Sequence, residues 1–328
     1  MIRAAVIGLG FAGFRFELDP LRAGIWSHAA AYKAAAGVRL VAAAEPDEAR
    51  RRDFHARYPE VPAYADLSEM LSRHTVDLAS VCVPTGRHAA VVRALAGRVR
   101  GIFCEKPMGA TLEDAREIVE LCERHQTLLG VNFVRRWEQA YLQAKKVLAE
   151  GLMGSLRSIA GYYPGELYNI GTHLVDIMCF LAGRVQAVAG IMTHGEGERE
   201  PAGSALLRFS SGASGCIATH GTRRNALFEV DLLFENGRLR ITENGRRLDC
   251  WRYRPSRAYT GYNELETADL PVSAFPVEDR MLRAVDSIAA CFSNPGQTPA
   301  CSGRDALHAQ MVVSAIAASH REQAFVTL

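Results

Sequence analysis

The chain has 328 residues, with 38 Lys plus Arg against 36 Asp plus Glu, and a formal net charge of +2. With 48% apolar and 23% charged residues it has the make-up of an ordinary globular chain, which excludes a disordered, collagenous or supercharged protein. The near-balanced charge offers no electrostatic footprint for nucleic acid or an anionic membrane, and the length exceeds the roughly 250–300 residues that one hydrophobic core serves, so two domains are expected.

From residue 1 to about 128 short apolar runs alternate with helical patterns. The runs are IRAAVIG (2–8), VRLVAAA (38–44), LASVCV (78–83), GIFCEK (101–106) and LLGVNF (128–133). Such a β-α-β series predicts a parallel sheet with helices on both faces. Thr111 followed by Asp114 predicts a capped helix start near residue 112.

From about 155 the pattern switches to strand-like runs at 156–163, 185–193, 204–210, 213–221, 227–235, 237–242 and 247–253. Ser211-Gly212, Asn236-Gly237 and Asn244-Gly245 punctuate them as turns, so this sheet is expected to be largely antiparallel. Helical patterns at 277–294 and 303–322 close the chain. The fold class is therefore α/β: a doubly wound parallel domain over 1–128, then an α+β domain over 129–328 with a large open, mostly antiparallel sheet.

The eight cysteines form no C-x-x-C pair and lie at no metal-ligand spacing with histidine, so no metal site is expected. The apolar run in residues 1–13 is broken by glycines and followed by no A-x-A site, and no stretch of about 18 apolar residues exists to span a membrane. A cytoplasmic protein is the expectation.

Chemistry begins at Gly8-Leu9-Gly10-Phe11-Ala12-Gly13, a G-x-G-x-x-G directly after the first strand. Its glycines permit a tight turn and let a pyrophosphate approach a helix N-terminus. Glu45 ends the second strand, where a carboxylate accepts the adenosine ribose hydroxyls and repels a 2′-phosphate, which favours NAD and leaves NADP open. Thirty-two positions separate Gly13 from Glu45, more than the usual ~20, and the surplus is the segment 14–27, broken by Pro20 and Gly24. That segment is read either as a loop beside the cofactor or as a surface elaboration.

At the fourth strand's end comes Glu105-Lys106-Pro107, where open α/β sheets place their ligands; beside a desolvating cofactor Lys106 is a candidate proton donor or acceptor. Arg135 and Arg136 follow the fifth strand and are candidates for a substrate phosphate or carboxylate, or for an interdomain salt bridge. Pro84, Thr85 and His88 follow the third strand. Tyr259 and Tyr262 stack on a sugar or are loop residues.

Together G-L-G-F-A-G, V-P-T-G-R-H (83–88), E-K-P, G-V-N-F-V-R-R-W (130–137) and G-T-H-L-V-D (171–176) resemble the Gfo/Idh/MocA family, in order over nearly the whole chain. The resemblance implies a Rossmann domain, an α+β domain with an open sheet, NAD(P)-dependent hydride transfer at a carbinol carbon of a sugar, cyclitol or derivative, and a homodimer or homotetramer. It also implies Lys106 as the catalytic lysine, His173 as the histidine of the G-x-H motif, and cofactor contacts at the glycine turn, Glu45, Pro84, Thr85, His88, Glu105 and Lys106. Where the family commonly has an aspartate four residues before the histidine, this chain has Asn169, which orients hydroxyls but carries no charge; Asp176 is a candidate replacement. Arg135, Arg136, Tyr163, Tyr168, Asn169 and His173 are the expected substrate contacts. A member that keeps its nucleotide bound and returns the hydride to a second substrate, and a regulator without turnover, are the alternatives.

Overall fold

Six strands, β1 (Ile2–Ile7), β2 (Val38–Ala44), β3 (Ala63–Tyr64), β4 (Leu78–Val81), β5 (Gly101–Cys104) and β6 (Leu128–Val131), line up in parallel in the order β3-β2-β1-β4-β5-β6. β1, β4 and β5 are buried almost throughout, because helices pack on both faces of the sheet. The helices are α1 (His28–Ala34), α2 (Glu48–Arg57), α3 (Leu67–Arg73), α4 (His88–Leu95) and α5 (Leu112–Arg124). Thr111 and Asp114 form a reciprocal capping box at the start of α5. The Arg3 guanidinium grips both Asp77 oxygens, at 2.9 and 3.0 Å, and its backbone N–H donates to the same carboxylate. This charge-assisted clamp holds β1 in register with β4, whose far ends carry the glycine turn and Cys82.

The computed structural model describes residues 1–193, 201–222, 224–268, 274–294 and 296–328. It divides into one unit of residues 1–137 and 278–307 and another of 138–277 and 308–328. The boundary therefore differs from the expected 128/129. β6 and the turn after it complete the parallel sheet, and α8 (Arg280–Ser293) packs against α1 with Met281, Ala284, Val285 and Ile288 buried. Gly130 shows how close that packing is: a Cβ there would lie 2.5 Å from Ile288 Cδ1.

The second unit contains α6 (Gln139–Glu150), β7 (Leu156–Tyr163), α7 (Thr172–Ala182), β8 (Val185–Thr193), β9 (Ala202–Phe209), β10 (Ser214–Thr219), β11 (Glu229–Phe234), β12 (Gly237–Thr242), β13 (Arg247–Pro255), β14 (Asn263–Thr267) and β15 (Val326–Thr327). α9 (Gly303–Glu322) precedes β15. The sheet order is β14-β13-β12-β11-β7-β10-β9-β8-β15. Its pairings are antiparallel except that β10 runs parallel to β7, from Ser214 opposite Ser158 to Thr219 opposite Tyr163. Alternate residues such as Ile159, Val230 and Leu239 are buried, and α7 lies close enough that a Cβ on Gly161 would meet Leu174 at 2.6 Å. On the outward side Tyr162, Ile191, Leu206 and Leu233 are exposed. The two-residue strand β3, and β14 over NELET, had no counterpart in the sequence reading. Among the described residues no helix is long and apolar enough to cross a membrane.

Candidate active site

Gly8 leaves β1 with φ +95°, and a Cβ on it would sit 2.6 Å from the Cys82 carbonyl oxygen. Gly13 is tighter still, with a Cβ position 2.0 Å from the Gly8 carbonyl oxygen. Only glycines let the turn fold back on β1 and β4. Glu45, 3% exposed, accepts from the Leu9 N–H at 2.7 Å and from the Asp47 N–H at 3.1 Å, with Arg50 Nη1 3.6 Å away. A carboxylate anchored on the turn's own backbone suits a ribose diol, and the glycine cradle suits a pyrophosphate, so the residues fit NAD. Of the three arginines downstream, Arg51 is tied to the Glu45 and Pro46 carbonyls and Arg52 to Glu48, leaving Arg50 beside the carboxylate. Glu45→Ala should raise Kd for NADH about tenfold and lower Kd for NADPH, because it removes the repulsion of a 2′-phosphate while keeping Arg50. Fluorescence titration with both nucleotides measures it, and an unchanged ratio of the two constants contradicts the role.

The glycine turn does not run straight into a long helix. The Phe14 and Arg15 amides turn back to the Gly10 carbonyl, and a short 3-10 segment follows at Arg15–Leu18. α1 begins only at His28, capped by the Ser27 hydroxyl, with its His28 and Ala29 amides donating to the Ala12 and Gly13 carbonyls. The segment 14–27 thus leaves and rejoins the chain at the glycine turn. Its aromatic and cationic side chains form a ladder: Phe11 against Phe16, Arg22 over Phe16 and Trp26, and Arg280 over Trp26 at 4.5 Å. The first α1 amides are taken by protein carbonyls and, at Ala30, by the Ser27 hydroxyl, so a pyrophosphate is left to the amides of the turn itself.

Glu105 and Lys106 lie just beyond β5, and the Lys106–Pro107 bond is cis. Glu105 is engaged within the fold. Its Oε1 receives His28 Nε2 at 2.9 Å and Asn132 Nδ2 at 2.7 Å, and its Oε2 receives the Lys106 N–H at 3.2 Å. His28 Nδ1 meets Ser80 Oγ at 2.7 Å, and that oxygen also meets the Tyr32 hydroxyl at 2.6 Å. Burial pushes the Glu105 carboxyl up, but the hydrogen bonds from His28 and Asn132 and the charge of Lys106 outweigh it, holding it below the usual range. Glu105 is therefore a half-buried anion, 15% exposed at its side chain, whose carboxylate holds the Lys106 N–H. His28, Tyr32, Ser80 and Asn132 were missed by the sequence reading; Asn132 alone stood inside a motif singled out there.

Three other expected contacts turn inward. His88 is 1% exposed and places its ring nitrogens 2.9 and 3.1 Å from the Val83 and Met108 carbonyls, so it ties the loop after β4 to the loop after β5. Pro84 and Thr85, in the turn before it, remain at the surface. Arg136, expected on substrate, is buried with Nη1 2.6 Å from the Ala300 carbonyl and 3.5 Å from Asp305. Both of these partners belong to the same unit as Arg136; Arg135 is half-buried. Tyr163 is sealed in the core. Its hydroxyl donates to the Gly203 carbonyl and accepts from the Gly203 N–H, and burial pushes its pKa to about 12.

In the second unit, a turn of π-helix at Leu167–Gly171 leads directly into α7. Asn169 and His173, one helical turn apart, are both half-buried, as is Tyr168. Asn169 Nδ2 donates to Glu166 Oε2 at 3.1 Å, and Glu166 is 4% exposed. Asp176 is fully buried. Tyr259 and Tyr262 stand at the exposed β13–β14 connection, ring against ring.

A glycine cradle closed by a buried acid at the end of β2, with a lysine beyond β5, defines a dinucleotide-binding oxidoreductase fold. The model of the oxidoreductase family's NAD-binding Rossmann fold matches residues 2–133, and the GFO/IDH/MocA C-terminal domain matches residues 162–240. The chain belongs to the Gfo/Idh/MocA family. It is 27% identical to the D-apiose dehydrogenase of Paraburkholderia graminis, over 99% of this chain and 89% of that protein. It is also 27% identical to the scyllo-inositol 2-dehydrogenase (NADP(+)) of Bacillus subtilis, over 44% and 45% of the two chains. The chain spans about half the length of several other curated relatives it matches. The structure of an NAD-binding oxidoreductase from Klebsiella pneumoniae has the same fold, with a TM-score of 0.84, 21% identity and 99% and 98% of the two chains covered.

Proposed function

We propose that this protein is an NAD-linked dehydrogenase that interconverts a secondary alcohol and a ketone on a sugar, cyclitol or sugar derivative. The observation that carries this is the buried Glu45 carboxylate hydrogen-bonded to the glycine turn, in a chain that aligns nearly end to end with a sugar dehydrogenase. NAD, when bound, supplies the hydride acceptor. His173 takes the hydroxyl proton, since an imidazole starts near the pKa that a base at neutral pH needs, and Lys106 holds the oxygen with its ammonium. Asn169 and Tyr168 orient the neighbouring hydroxyls. A homodimer or homotetramer is favoured by the apolar outward face of the nine-stranded sheet, where Ile191 is 62% and Leu206 58% exposed.

The test is a panel of sugars, inositols and nucleotide sugars assayed at the nicotinamide absorbance with purified protein and NAD or NADP, the same preparation being sized by light scattering. Turnover on a polyhydroxylated substrate, with a mass two or four times that of the chain, is expected. Tight NADH binding without turnover on any member moves the protein to the regulatory alternative, and nucleotide that copurifies and is reduced and reoxidised without release moves it to the bound-cofactor alternative.

A further inference from the structure

A Rossmann turn ordinarily runs straight into a long helix, whose first turn adds its dipole to the amides that meet a pyrophosphate. Here the helical stretch after the turn is only the four residues Arg15–Leu18, and α1 waits until His28. The turn itself is open to an anion: among the described residues the Gly10, Phe11, Ala12 and Gly13 amides donate to no acceptor of the chain. The Glu45 carboxylate already sits on the Leu9 N–H of the same turn and adds its own repulsion. A pyrophosphate held there therefore needs a cation that the shortened helix does not replace.

We propose that Arg15, carried by the segment 14–27, is a cofactor-binding residue whose guanidinium pairs with the pyrophosphate of NAD and replaces the charge that a helix end supplies elsewhere. This deepens the NAD-linked reading and rests on its nucleotide site. Phe14 is fully buried, with its ring 5.3 Å from Phe54 and 6.1 Å from Tyr58, so Arg15 turns outward. It is tied to the glycine turn at both ends: its N–H donates to the Gly10 carbonyl at 2.9 Å, and its guanidinium carbon lies 5.3 Å from the centre of the Phe11 ring. Phe11 is 63% exposed, and its amide is one of the four without an acceptor. Arg50 stands by Glu45 and Arg22 is bonded to Asp19, whereas among the described residues no carboxylate lies within ion-pair distance of Arg15. The support behind Arg15 is firm. Glu17, 7% exposed at its side chain, accepts from the Ser27 and Tyr58 hydroxyls, both at 2.5 Å, and the Ile25 N–H donates to the Glu278 carbonyl at 2.9 Å. A planar guanidinium resting on a ring keeps its N–H edge for paired phosphate oxygens.

The experiment measures Kd for NADH by fluorescence, and for ADP-ribose and adenosine by displacement of NADH, in the full chain and in Arg15→Lys, Arg15→Gln and Arg15→Glu, with melting curves as a check on folding. No substrate is needed. Arg15→Gln removes the charge, so Kd for NADH and for ADP-ribose should rise together by about tenfold, while Kd for adenosine, which has the ribose but no phosphate, stays within about twofold. Arg15→Glu should raise the first two by about 100-fold and Arg15→Lys by no more than about threefold, so that the series follows charge and not size. Raising salt to about 0.5 M should weaken NADH binding by the wild-type chain several-fold more than by Arg15→Gln. Arg52→Gln, which removes an exposed cation paired with Glu48, is the control and should leave all three constants within about twofold. An NADH Kd unmoved by both Arg15→Gln and Arg15→Glu overturns the proposal. So does a rise that adenosine shares, which means a collapsed turn, or one that Arg52→Gln reproduces, which means an effect of overall charge. A wild-type chain that binds neither NADH nor NADPH overturns the NAD-linked reading together with the proposal; normal wild-type binding with a flat Arg15 series overturns the proposal alone.

Discussion

Lys106→Ala should lower kcat by about 10³-fold while Kd for NADH stays within about threefold of wild type. The asymmetry follows from how the residue is held. Its backbone N–H is fixed by Glu105, and Glu105 is in turn fixed by His28 and Asn132, so removing the side chain beyond Cβ leaves the loop after β5 in place. What is lost is an ammonium at the carboxyl edge of a parallel sheet, where this fold places its ligands. An alkoxide developing without that cation loses a charge-assisted hydrogen bond, worth several kcal/mol in comparable settings. Steady-state absorbance with saturating nucleotide and substrate gives kcat, and fluorescence titration gives Kd. Wild-type kcat in Lys106→Ala would remove the lysine from the mechanism; a parallel loss of NADH binding would make it a cofactor ligand instead.

Gly13→Ala should raise Kd for NADH by about 100-fold or more and lower the melting temperature by several degrees. The added methyl would have to occupy a point 2.0 Å from the Gly8 carbonyl oxygen and 3.3 Å from Cys82 Cβ. Neither neighbour can retreat: Gly8 is pinned through its N–H to the Ala44 carbonyl, and the Cys82 N–H is bonded to the Ile7 carbonyl. The turn must therefore open, and with it the backbone amides that would face the pyrophosphate. Gly37→Ala is the control. It too has positive φ, at +80°, but nothing lies within 4 Å of its Cβ position, so it should cost about 1 kcal/mol of stability and leave NADH binding unchanged. Equal effects of the two substitutions on Kd would mean that the glycine turn is not the nucleotide site.

The legible part of this protein is the part written in local pattern. Alternating apolar runs and helical spacing placed five strands of the parallel sheet, because each buried strand reads as a short continuous apolar segment whatever its neighbours. Their ends were overestimated: LASVCV and GIFCEK stop as strands at Val81 and Cys104, where the ladder ends and the ligand-facing loops begin. The glycine turn and Glu45 were legible because steric freedom and charge are properties of the residue itself. The start of α5 was legible because its cap is made by residues three apart.

Whether a polar side chain faces a ligand or the interior was not legible, and the reason is distance along the chain. His28 meets Ser80 and Glu105 across 52 and 77 positions, and Asn132 reaches Glu105 across 27, so no window of sequence shows that these groups satisfy one another. Arg136 and Tyr163 looked like substrate contacts by type and position. Burial commits them instead to the Ala300 and Gly203 backbone, 164 and 40 positions away, since a buried polar group must find a partner wherever the fold supplies one. The return of residues 278–307 to the first unit and the parallel pairing of β10 with β7 are of the same kind. By itself the sequence determined the order of strands and helices, the glycine cradle, the acid that faces it and the lysine beyond β5, each an outcome of local sterics and periodicity. Tertiary structure alone decided which charges are spent inside the fold and which stay available for chemistry, because that depends on which distant atoms desolvation brings together.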